Sequence, residues 1–310
     1  MNSSWLDFLR SQKATFLDEG NIQFTEGPKN LTPALYPIPQ LTALKVVGKD
    51  ALSFLQGQLT CDMTTLNAEN SFFAAFCNAK GRTISTLLIF KENDDFFLVL
   101  PTVLRDKVQK KLQMYVMRSD VVIQAIDNEY CLTGLACSFE QLNDSSAPTS
   151  DFTRNHELIK LPNSRYLMLT TVEKSIERWC QWLEEGLQVQ NSILWDYLDI
   201  SAGIAWLDQN SSENHIPQML NIDKFGGISF DKGCYTGQEV VARTHYLGKA
   251  KRSLVSAEAA VETNFEAGNV INQQGELVGK IIKRSDFEGK QKLLVVMQTV
   301  RGEIDNLQVI

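Results

Sequence analysis

The stretch IPQMLNIDKFGGISFDKGCYTGQEVVARTHYLGKAKR, residues 216–252, differs in character from the rest of the chain. It is rich in glycine and in cationic residues and has few long apolar runs, so we expect a functional site rather than a core to shape it. At its centre lies KGCYTGQE, residues 232–239, in which Gly233 and Gly237 closely flank Cys234. Because glycine has no side chain, these neighbours leave the thiol little steric cover.

Positive charge surrounds this thiol in the sequence. Lys232 lies two residues before Cys234, and Arg243, His245 and Lys249 follow. A nearby cation lowers the pKa of a thiol and raises its thiolate fraction. We therefore predict that Cys234 is the functional thiol and that Lys232 is its electrostatic helper.

A structural interpretation of the same residues stays open on residue physics alone. In it, the glycines punctuate a loop that leads into a helix over residues 237–243. Cys234 is then a small buried hydrophobic residue, and Glu239 pairs with Arg243 one helical turn further on. The exposure of the Cys234 sulfur distinguishes the two interpretations.

Upstream of the motif, hydrophobic periodicity predicts an α+β region. Its order of strand, helix, hairpin, helix and strand is typical of a split βαβ arrangement. A four-residue connection, Asn78-Ala79-Lys80-Gly81, joins the two hairpin strands. The predicted strands are residues 41–47, 72–77, 83–90, 96–100 and 121–126, and the predicted helices are residues 50–59 and a segment that follows Pro101 and reaches residue 117.

A second α+β region and a β region follow. Residues 145–153 are predicted as a loop, residues 157–161 and 166–170 as strands, and residues 173–185 and 193–200 as helices. Short strands at 254–257, 270–271, 277–282 and 293–298 predict a small β-barrel or sandwich. We therefore predict three domains: residues 1–145, residues 146–252 with the KGCYTGQE motif, and residues 253–310.

Composition excludes several classes of protein. The net charge of −7 disfavours nonspecific nucleic-acid binding, which depends on clustered cations. The apolar runs are far shorter than the roughly 20 residues that span a bilayer, and the N-terminus lacks the features of a secretion signal. We expect a cytoplasmic protein with no membrane segment. The scattered cysteines form no CxxC pair, and with 3 histidines they predict neither a metal site nor a ligated iron-sulfur cluster.

The motif also carries a family resemblance. KGCYTGQE followed by VVAR resembles the signature of the YgfZ family, and four other stretches agree with that family in the same order: FLQGQLTCD at 54–62, CNAKGR at 77–82, SAGIAWLD at 201–208 and IPQMLNI at 216–222. The resemblance covers residues 41–297. The wider superfamily includes the T-protein, or aminomethyltransferase, of glycine cleavage. The resemblance implies a three-domain ring of two ferredoxin-like α+β regions and a small C-terminal β-barrel. It also implies that the N-terminal domain binds folate.

This resemblance implies a function and its partners. Proteins of this family are folate-binding accessory factors that support iron-sulfur cluster assembly or repair, and thereby tRNA modification. The implied cofactor is tetrahydrofolate or another folate derivative. The implied partners are iron-sulfur enzymes, including those that thiolate tRNA, with no direct contact between this chain and nucleic acid.

The folate-binding residues are carried over by position. Trp195 precedes the 201–208 stretch by the spacing of a folate-contacting tryptophan in the family, although a tryptophan on the buried face of a helix is an alternative. Leu41 stands where the family has a second tryptophan. The other candidates are Tyr235, Gln238, Glu239 and Arg243. Arg82, Lys249, Lys251 and Arg252 are candidates for a glutamate or phosphate tail, or simply cations on a solvated face.

Two other functions compete with this one. An aminomethyltransferase resembles the T-protein, in which an acidic residue follows the hairpin glycines, yet this chain has hydroxyls at Ser85 and Thr86. Glycine cleavage is therefore disfavoured, and a one-carbon transferase would need Glu239 or Asp231 as its base. The third function is a binding module with no chemistry at Cys234. We do not expect a conventional enzyme.

Overall fold

The computed structural model describes residues 2–17, 20–24, 30–142, 145–248, 250–261, 263, 265, 268–271, 276–298 and 307–309. The chain forms two compact units, each assembled from segments that are distant in sequence. The first comprises Met1–Ala51, Leu66–Ser71 and Leu88–Trp195, and the second comprises Leu52–Thr65, Phe72–Leu87 and Asp196–Ile310. The three consecutive domains with boundaries at residues 145 and 252 stay a prediction.

Helices are few and short. In the described residues the α-helices are α1 (Ser3–Ser11), α2 (Ala51–Gln56), α3 (Arg105–Val116), α4 (Val172–Glu184), α5 (Ile193–Ser201) and α6 (Gln238–Leu247). None of these combines the length and the apolar composition that crossing a bilayer requires.

Strands make up most of the regular structure. They are β1 (Ala14–Phe16), β2 (Ile22–Phe24), β3 (Ala34–Pro37), β4 (Leu41–Val47), β5 (Ser71–Cys77), β6 (Thr83–Glu92), β7 (Asp95–Pro101), β8 (Val122–Ala125), β9 (Tyr130–Ala136), β10 (Leu158–Leu161), β11 (Arg165–Thr171), β12 (Gln188–Val189), β13 (Arg252–Ala260), β14 (Asn269–Ile271), β15 (Leu277–Phe287), β16 (Lys290–Gln298) and β17 (Gln308–Val309).

One sheet of the first unit has the strand order β10-β11-β9-β3-β12, with β12 parallel to β3 and the other pairs antiparallel. The periodicity predicted β10, β11 and α4 but missed β3 and β9. A short strand that ends in Pro37 and a strand that contains Gly134 carry weak β signals. The large side chains that fill the core on one face of this sheet are Trp5, Leu9, Leu35, Leu135, Tyr166, Trp179 and Trp182.

A second sheet has the order β5-β6-β7-β4-β8. Its predicted strands are all present, and the bounds of β4 match the prediction. The predicted hairpin between β5 and β6 is also present, closed by hydrogen bonds from Asn78 N to Arg82 O and from Gly81 N to Asn78 O, both 2.9 Å. The chain passes from the second unit to the first within β6, between Leu87 and Leu88.

The C-terminal segment forms an antiparallel sheet of order β14-β15-β16-β13-β17 in the second unit. The predicted β region is confirmed, with strands longer than their apolar runs suggested. Salt bridges and hydrogen bonds attach α5 to it: Lys283 Nζ lies 2.8 Å from Asp196 Oδ2, and Lys292 Nζ donates to Ser201 Oγ at 3.0 Å. The apolar residues of its core include Ala257, Val270, Leu293, Val295 and Met297.

Candidate functional site around Cys234

The KGCYTGQE segment and the residues just before it are hydrogen-bonded to another stretch that the sequence singles out. The backbone N–H of Thr236 donates to Gly57 O at 3.1 Å, and the N–H of Ser229 donates to Thr60 O at 2.9 Å. Both acceptors belong to FLQGQLTCD, residues 54–62. The second unit therefore brings these stretches together across more than half the length of the chain.

Lys232 anchors the motif to the same stretch. Its ammonium donates to Leu59 O at 2.8 Å and to Cys61 O at 2.7 Å, and it lies 5.1 Å from the centre of the Tyr235 ring. Burial lowers the pKa of Lys232 to about 8, against the opposing effect of Cys61 and Asp62. Because carbonyl oxygens hold the ammonium, its first role is structural. Electrostatic help to Cys234 stays a prediction.

Tyr235 is the buried anchor of the motif, with 6% of its surface exposed. Burial raises its pKa, and its hydroxyl has no hydrogen-bond partner within the part of the chain that the structure describes. An unsatisfied buried hydroxyl is costly, and it marks a position where a ligand atom or a water would be stabilised. Next to it, Gln238 Nε2 donates to Lys232 O at 3.4 Å and closes the loop on itself.

Two glycines with positive φ connect the motif to the hairpin. Gly81 has a φ of +68° and Gly237 a φ of +85°. A Cβ on Gly81 would lie 2.8 Å from Val240 Cβ, and a Cβ on Gly237 would lie 2.5 Å from Asn78 O. Both positions thus require glycine for conformation and for space. Gly237 also precedes α6, so the same contact fixes where that helix begins.

Cys234 is exposed and so is Cys180, whereas the other thiols are buried. The interpretation of Cys234 as a small buried hydrophobic residue is therefore wrong, because its glycine neighbours leave the sulfur accessible. The buried thiols stay protonated at physiological pH, since burial raises the pKa of each to about 12. They are Cys61, Cys77, Cys131 and Cys137.

The predicted cations around Cys234 have different surroundings. Arg243 Nη2 lies 2.6 Å from Glu239 Oε1, and both side chains are exposed, which confirms the predicted pair on α6. His245 stacks on Phe230 with ring centres 3.7 Å apart. Lys251 is exposed, and Lys249 lies outside the described residues. The exposed ion pair between Glu239 and Arg243 contributes little to stability, and the Glu239 carboxylate partly cancels the charge of Arg243.

Trp195 belongs to the first unit and is fully buried at the start of α5. The Arg165 guanidinium lies 4.9 Å from its ring centre, the Tyr36 ring centre lies 5.4 Å away, and a Cβ on Gly134 would lie 2.4 Å from the indole. Its position is that of a tryptophan on the buried face of a helix. Its indole N–H nevertheless has no acceptor among the described residues.

The positions that separate this chain from aminomethyltransferases are structural in role. Ser85 Oγ donates to Thr86 O at 2.9 Å, and Thr86 Oγ1 donates to Ala205 O at 2.8 Å. Both hydroxyls are buried and bonded to backbone, so neither is placed to exchange a proton with a ligand. Leu41 is a buried residue of β4. That glycine-cleavage chemistry is disfavoured stays a prediction.

Sequence reasoning missed His215, which is 5% exposed. Burial, together with the charges of Lys280, Arg82 and Arg252, lowers its pKa to about 4. No local signal reveals this site, because the three cations come from separate parts of the sequence and meet only in the folded second unit.

Comparison with known proteins places these features in a family context. The family described as the GCVT N-terminal domain matches residues 33–137. The tRNA-modifying protein YgfZ of Klebsiella pneumoniae (strain 342) is 35% identical over 275 residues, which cover 84% of each chain. The protein of the same name from Pectobacterium carotovorum subsp. carotovorum (strain PC1) is 35% identical over 257 residues, which cover 79% of this chain and 76% of that protein.

A solved structure shares the fold. The glycine cleavage system aminomethyltransferase T of Bartonella henselae superposes with a TM-score of 0.74 over 98% of this chain and 95% of its own. The two sequences are 15% identical, so the likeness concerns the fold alone. It confirms the predicted T-protein-like α+β fold.

Proposed function

This chain belongs to the YgfZ family, and from that membership we propose that it is a cytoplasmic, tetrahydrofolate-binding accessory protein that supports iron-sulfur clusters and thereby tRNA modification. The name that its relatives carry, tRNA-modifying protein, supports the last part. Its clients would be iron-sulfur enzymes, including those that thiolate tRNA. Because this role runs through protein partners, it requires no direct contact with RNA.

One observation carries the proposal: the accessible thiol of Cys234 is presented by a tightly fixed loop. Lys232 ties one side of the loop to the backbone of Leu59 and Cys61. Gly237 fixes the other side against the hairpin. A thiolate is a nucleophile and a ligand for soft metal ions. An exposed sulfur on a rigid support suits contact with a partner's cluster or thiol.

The hydroxyl contacts support an accessory protein over a one-carbon transferase. Ser85 and Thr86 are bonded to backbone carbonyls, and Glu239, a candidate base, is paired with Arg243. General acid-base catalysis needs a titratable group near the operating pH and within reach of the substrate. The hydroxyls of Ser85 and Thr86 are not titratable near the operating pH, because alcohols lose a proton only far above neutrality.

Two of the residues proposed to bind folate are buried aromatic residues with an unsatisfied polar atom. Trp195 has an unsatisfied indole N–H, and Tyr235 has an unsatisfied hydroxyl. A pterin edge offers both acceptors and donors, so an atom of either kind suits it. Since Arg165 and Gly134 already pack against the indole, we propose that Trp195 contacts the ligand through Nε1 rather than by stacking.

The remaining folate contacts are proposed on the exposed side of the motif. Gln238 and Glu239 would bind polar atoms of the ligand, and Arg243 would neutralise a carboxylate of its glutamate tail. When bound, tetrahydrofolate supplies a reduced pterin that carries one-carbon units. The residues named here bind and orient it.

A complementation experiment tests the thiol. In a strain that lacks this protein, we expect Cys234→Ala to fail to restore the activity of an iron-sulfur enzyme and the level of thiolated tRNA. Cys180→Ala is the matched control, because Cys180 is the other exposed thiol, and we expect it to restore both. Full rescue by Cys234→Ala would refute the role of the thiol.

A binding measurement tests the folate separately. We expect isothermal titration calorimetry of the purified wild-type protein with tetrahydrofolate to give a measurable heat of binding. Cys234→Ala should bind equally well, because the thiol acts on a partner. No heat with tetrahydrofolate, folate or 5-formyltetrahydrofolate would refute the folate part of the proposal and leave the test of the thiol intact.

A further inference from the structure

The charges of three cations from separate parts of the second unit act on His215. Arg82 follows the hairpin at residues 78–81, Arg252 begins β13, and Lys280 lies in β15. All three side chains are half-buried. Partial burial removes some of the water that hydrates a charge, so an anion bound beside these three cations would be favourable.

His215 is the residue on which these three charges act. Its carbonyl accepts from Thr83 N at 2.8 Å, so the backbone of the residue is fixed beside the hairpin. The residue is buried, with 5% of its surface exposed. Imidazole Nε2 has no hydrogen-bond partner in the described ranges. A buried ring nitrogen of this kind normally bonds to a protein group, a water or a ligand.

Arg82 is held next to this histidine. Its Nη1 donates to Asn214 O at 3.0 Å, one residue before His215. A guanidinium has five donors in a planar fork, and a single bond to a carbonyl leaves most of them available. Within the described ranges no carboxylate pairs with Arg82.

Arg252 and Lys280 share one face of the C-terminal sheet. Lys280 and Leu254 both pair with Val296, so the three residues stand in one row across the sheet. Arg252 lies two residues before Leu254, and alternate residues of a strand point to the same face. Asn221 Nδ2 donates to Leu254 O at 2.9 Å, which ties the segment after His215 to this strand.

No carboxylate in the part of the chain that the structure describes balances the charges of this cluster. Lys280, Arg82 and Arg252 each lower the pKa of His215, and no carboxylate opposes them among the described residues. Elsewhere in the same sheet, by contrast, Lys283 pairs with Asp196 at 2.8 Å and Lys290 pairs with Glu258 at 3.1 Å. These two cations of the sheet thus have a carboxylate partner, whereas Arg82, Arg252 and Lys280 have none among the described residues.

We propose that Arg82, Arg252, Lys280 and His215 form a binding site for a phosphate group. The guanidinium forks match two oxygens of a phosphate at once, and the lysine ammonium adds a point charge. A neutral imidazole with its proton on Nε2 donates the remaining hydrogen bond without adding charge. The site is independent of Cys234 and of the proposed folate contacts of Trp195 and Tyr235.

Thermal denaturation of the full-length protein tests the proposal. We expect inorganic phosphate to raise the Tm of the wild type above its value in sodium chloride at equal ionic strength, because a ligand that binds only the folded state stabilises it. Arg252→Gln and Lys280→Gln should each weaken phosphate binding about tenfold, the effect of losing one charge-assisted contact. The matched control is Lys224→Gln, an exposed lysine of the same unit.

An NMR titration keeps the proposal falsifiable if these variants do not fold. The chain has 3 histidines, so the imidazole signal of His215 is assignable, and we expect phosphate to shift it in the wild type. A short oligouridylate distinguishes the source. Its competition with phosphate would identify a nucleic-acid backbone, and binding of phosphate alone would identify a small phosphorylated ligand. If neither probe moves the His215 signal, or if Lys224→Gln weakens binding as much, the proposal is overturned.

Discussion

Gly81 and Gly237 face each other across a contact that leaves no room for a side chain. A Cβ on Gly237 would lie 2.9 Å from Gly81 Cα and 2.5 Å from Asn78 O. Both glycines also have positive φ. The hairpin and the loop that presents Cys234 are therefore joined backbone to backbone, and the position of the thiol depends on this contact.

Gly237→Ala should strongly destabilise the protein. The substitution adds a steric clash with backbone to the cost of a positive φ, so we expect a loss of about 3 kcal/mol in the free energy of unfolding. Gly226→Ala is the control, because Gly226 has a φ of +70° and nothing within 4 Å of its Cβ position. It should lose only about 1 kcal/mol. Urea denaturation measures both, and equal losses would contradict the backbone contact.

Native protein should expose two reactive thiols. Cys180 and Cys234 are accessible, while burial raises the pKa of the other cysteines to about 12. Titration with an aromatic disulfide reagent should modify these two rapidly and the rest only after unfolding. Cys234→Ala should leave one fast thiol. Rapid modification of a third site in the folded protein would count against the described burial.

Trp195→Phe should weaken tetrahydrofolate binding by about 1 to 2 kcal/mol, because it removes one hydrogen-bond donor and keeps most of the ring. Trp179→Phe is the control, since Trp179 is also fully buried with an unsatisfied indole N–H, but in the core that packs against α1. Calorimetry compares the three proteins. Equal affinity of wild type and Trp195→Phe would exclude the Nε1 contact.

Because of Lys232, the free energy of unfolding should depend on pH in the alkaline range. Burial lowers its pKa from 10.5 to about 8, so between these values the unfolded chain binds more protons than the folded chain. The contribution of this group to stability is therefore fully present above 10.5 and is lost as pH falls through 8. Urea denaturation of wild type and Lys232→Met should show the wild type gaining relative stability over this window. A constant difference would contradict the lowered pKa.

His215 should likewise make the free energy of unfolding rise with pH, in the acidic range. Burial and the charges of Lys280, Arg82 and Arg252 lower its pKa from 6.5 to about 4. Its contribution to stability is present above 6.5 and is lost as pH falls through 4. Wild type should therefore lose stability relative to His215→Gln across this range. Bound phosphate should reduce the loss, because an anion favours the protonated imidazole.

Periodicity predicted most elements of the fold, and its errors have physical causes. The strands β4, β5, β6 and β7 were found because their apolar side chains are continuous or alternating. The helix predicted at residues 50–59 is shorter, Ala51–Gln56, since a turn that begins at Gly57 ends it. Strand β3 was missed because prolines and short length hide it.

The candidate site was predicted in part. The motif predicted an accessible Cys234, and the structure shows it exposed. The same motif suggested that Lys232 serves the thiol, yet its ammonium is bonded to Leu59 O and Cys61 O. Where a flexible lysine points depends on acceptors more than 170 residues away. Spacing along the chain carries no information about them.

The sequence by itself determined the family, the α+β fold and the identity of the unusual loop, because these depend on residue types and local periodicity. Only the tertiary structure decided which groups lie side by side. It paired Gly81 with Gly237, buried Trp195 against Arg165 and brought the charges of three distant cations to act on His215. Steric contacts and charge interactions depend on the distance between groups in space. The number of residues between two groups along the chain does not fix that distance.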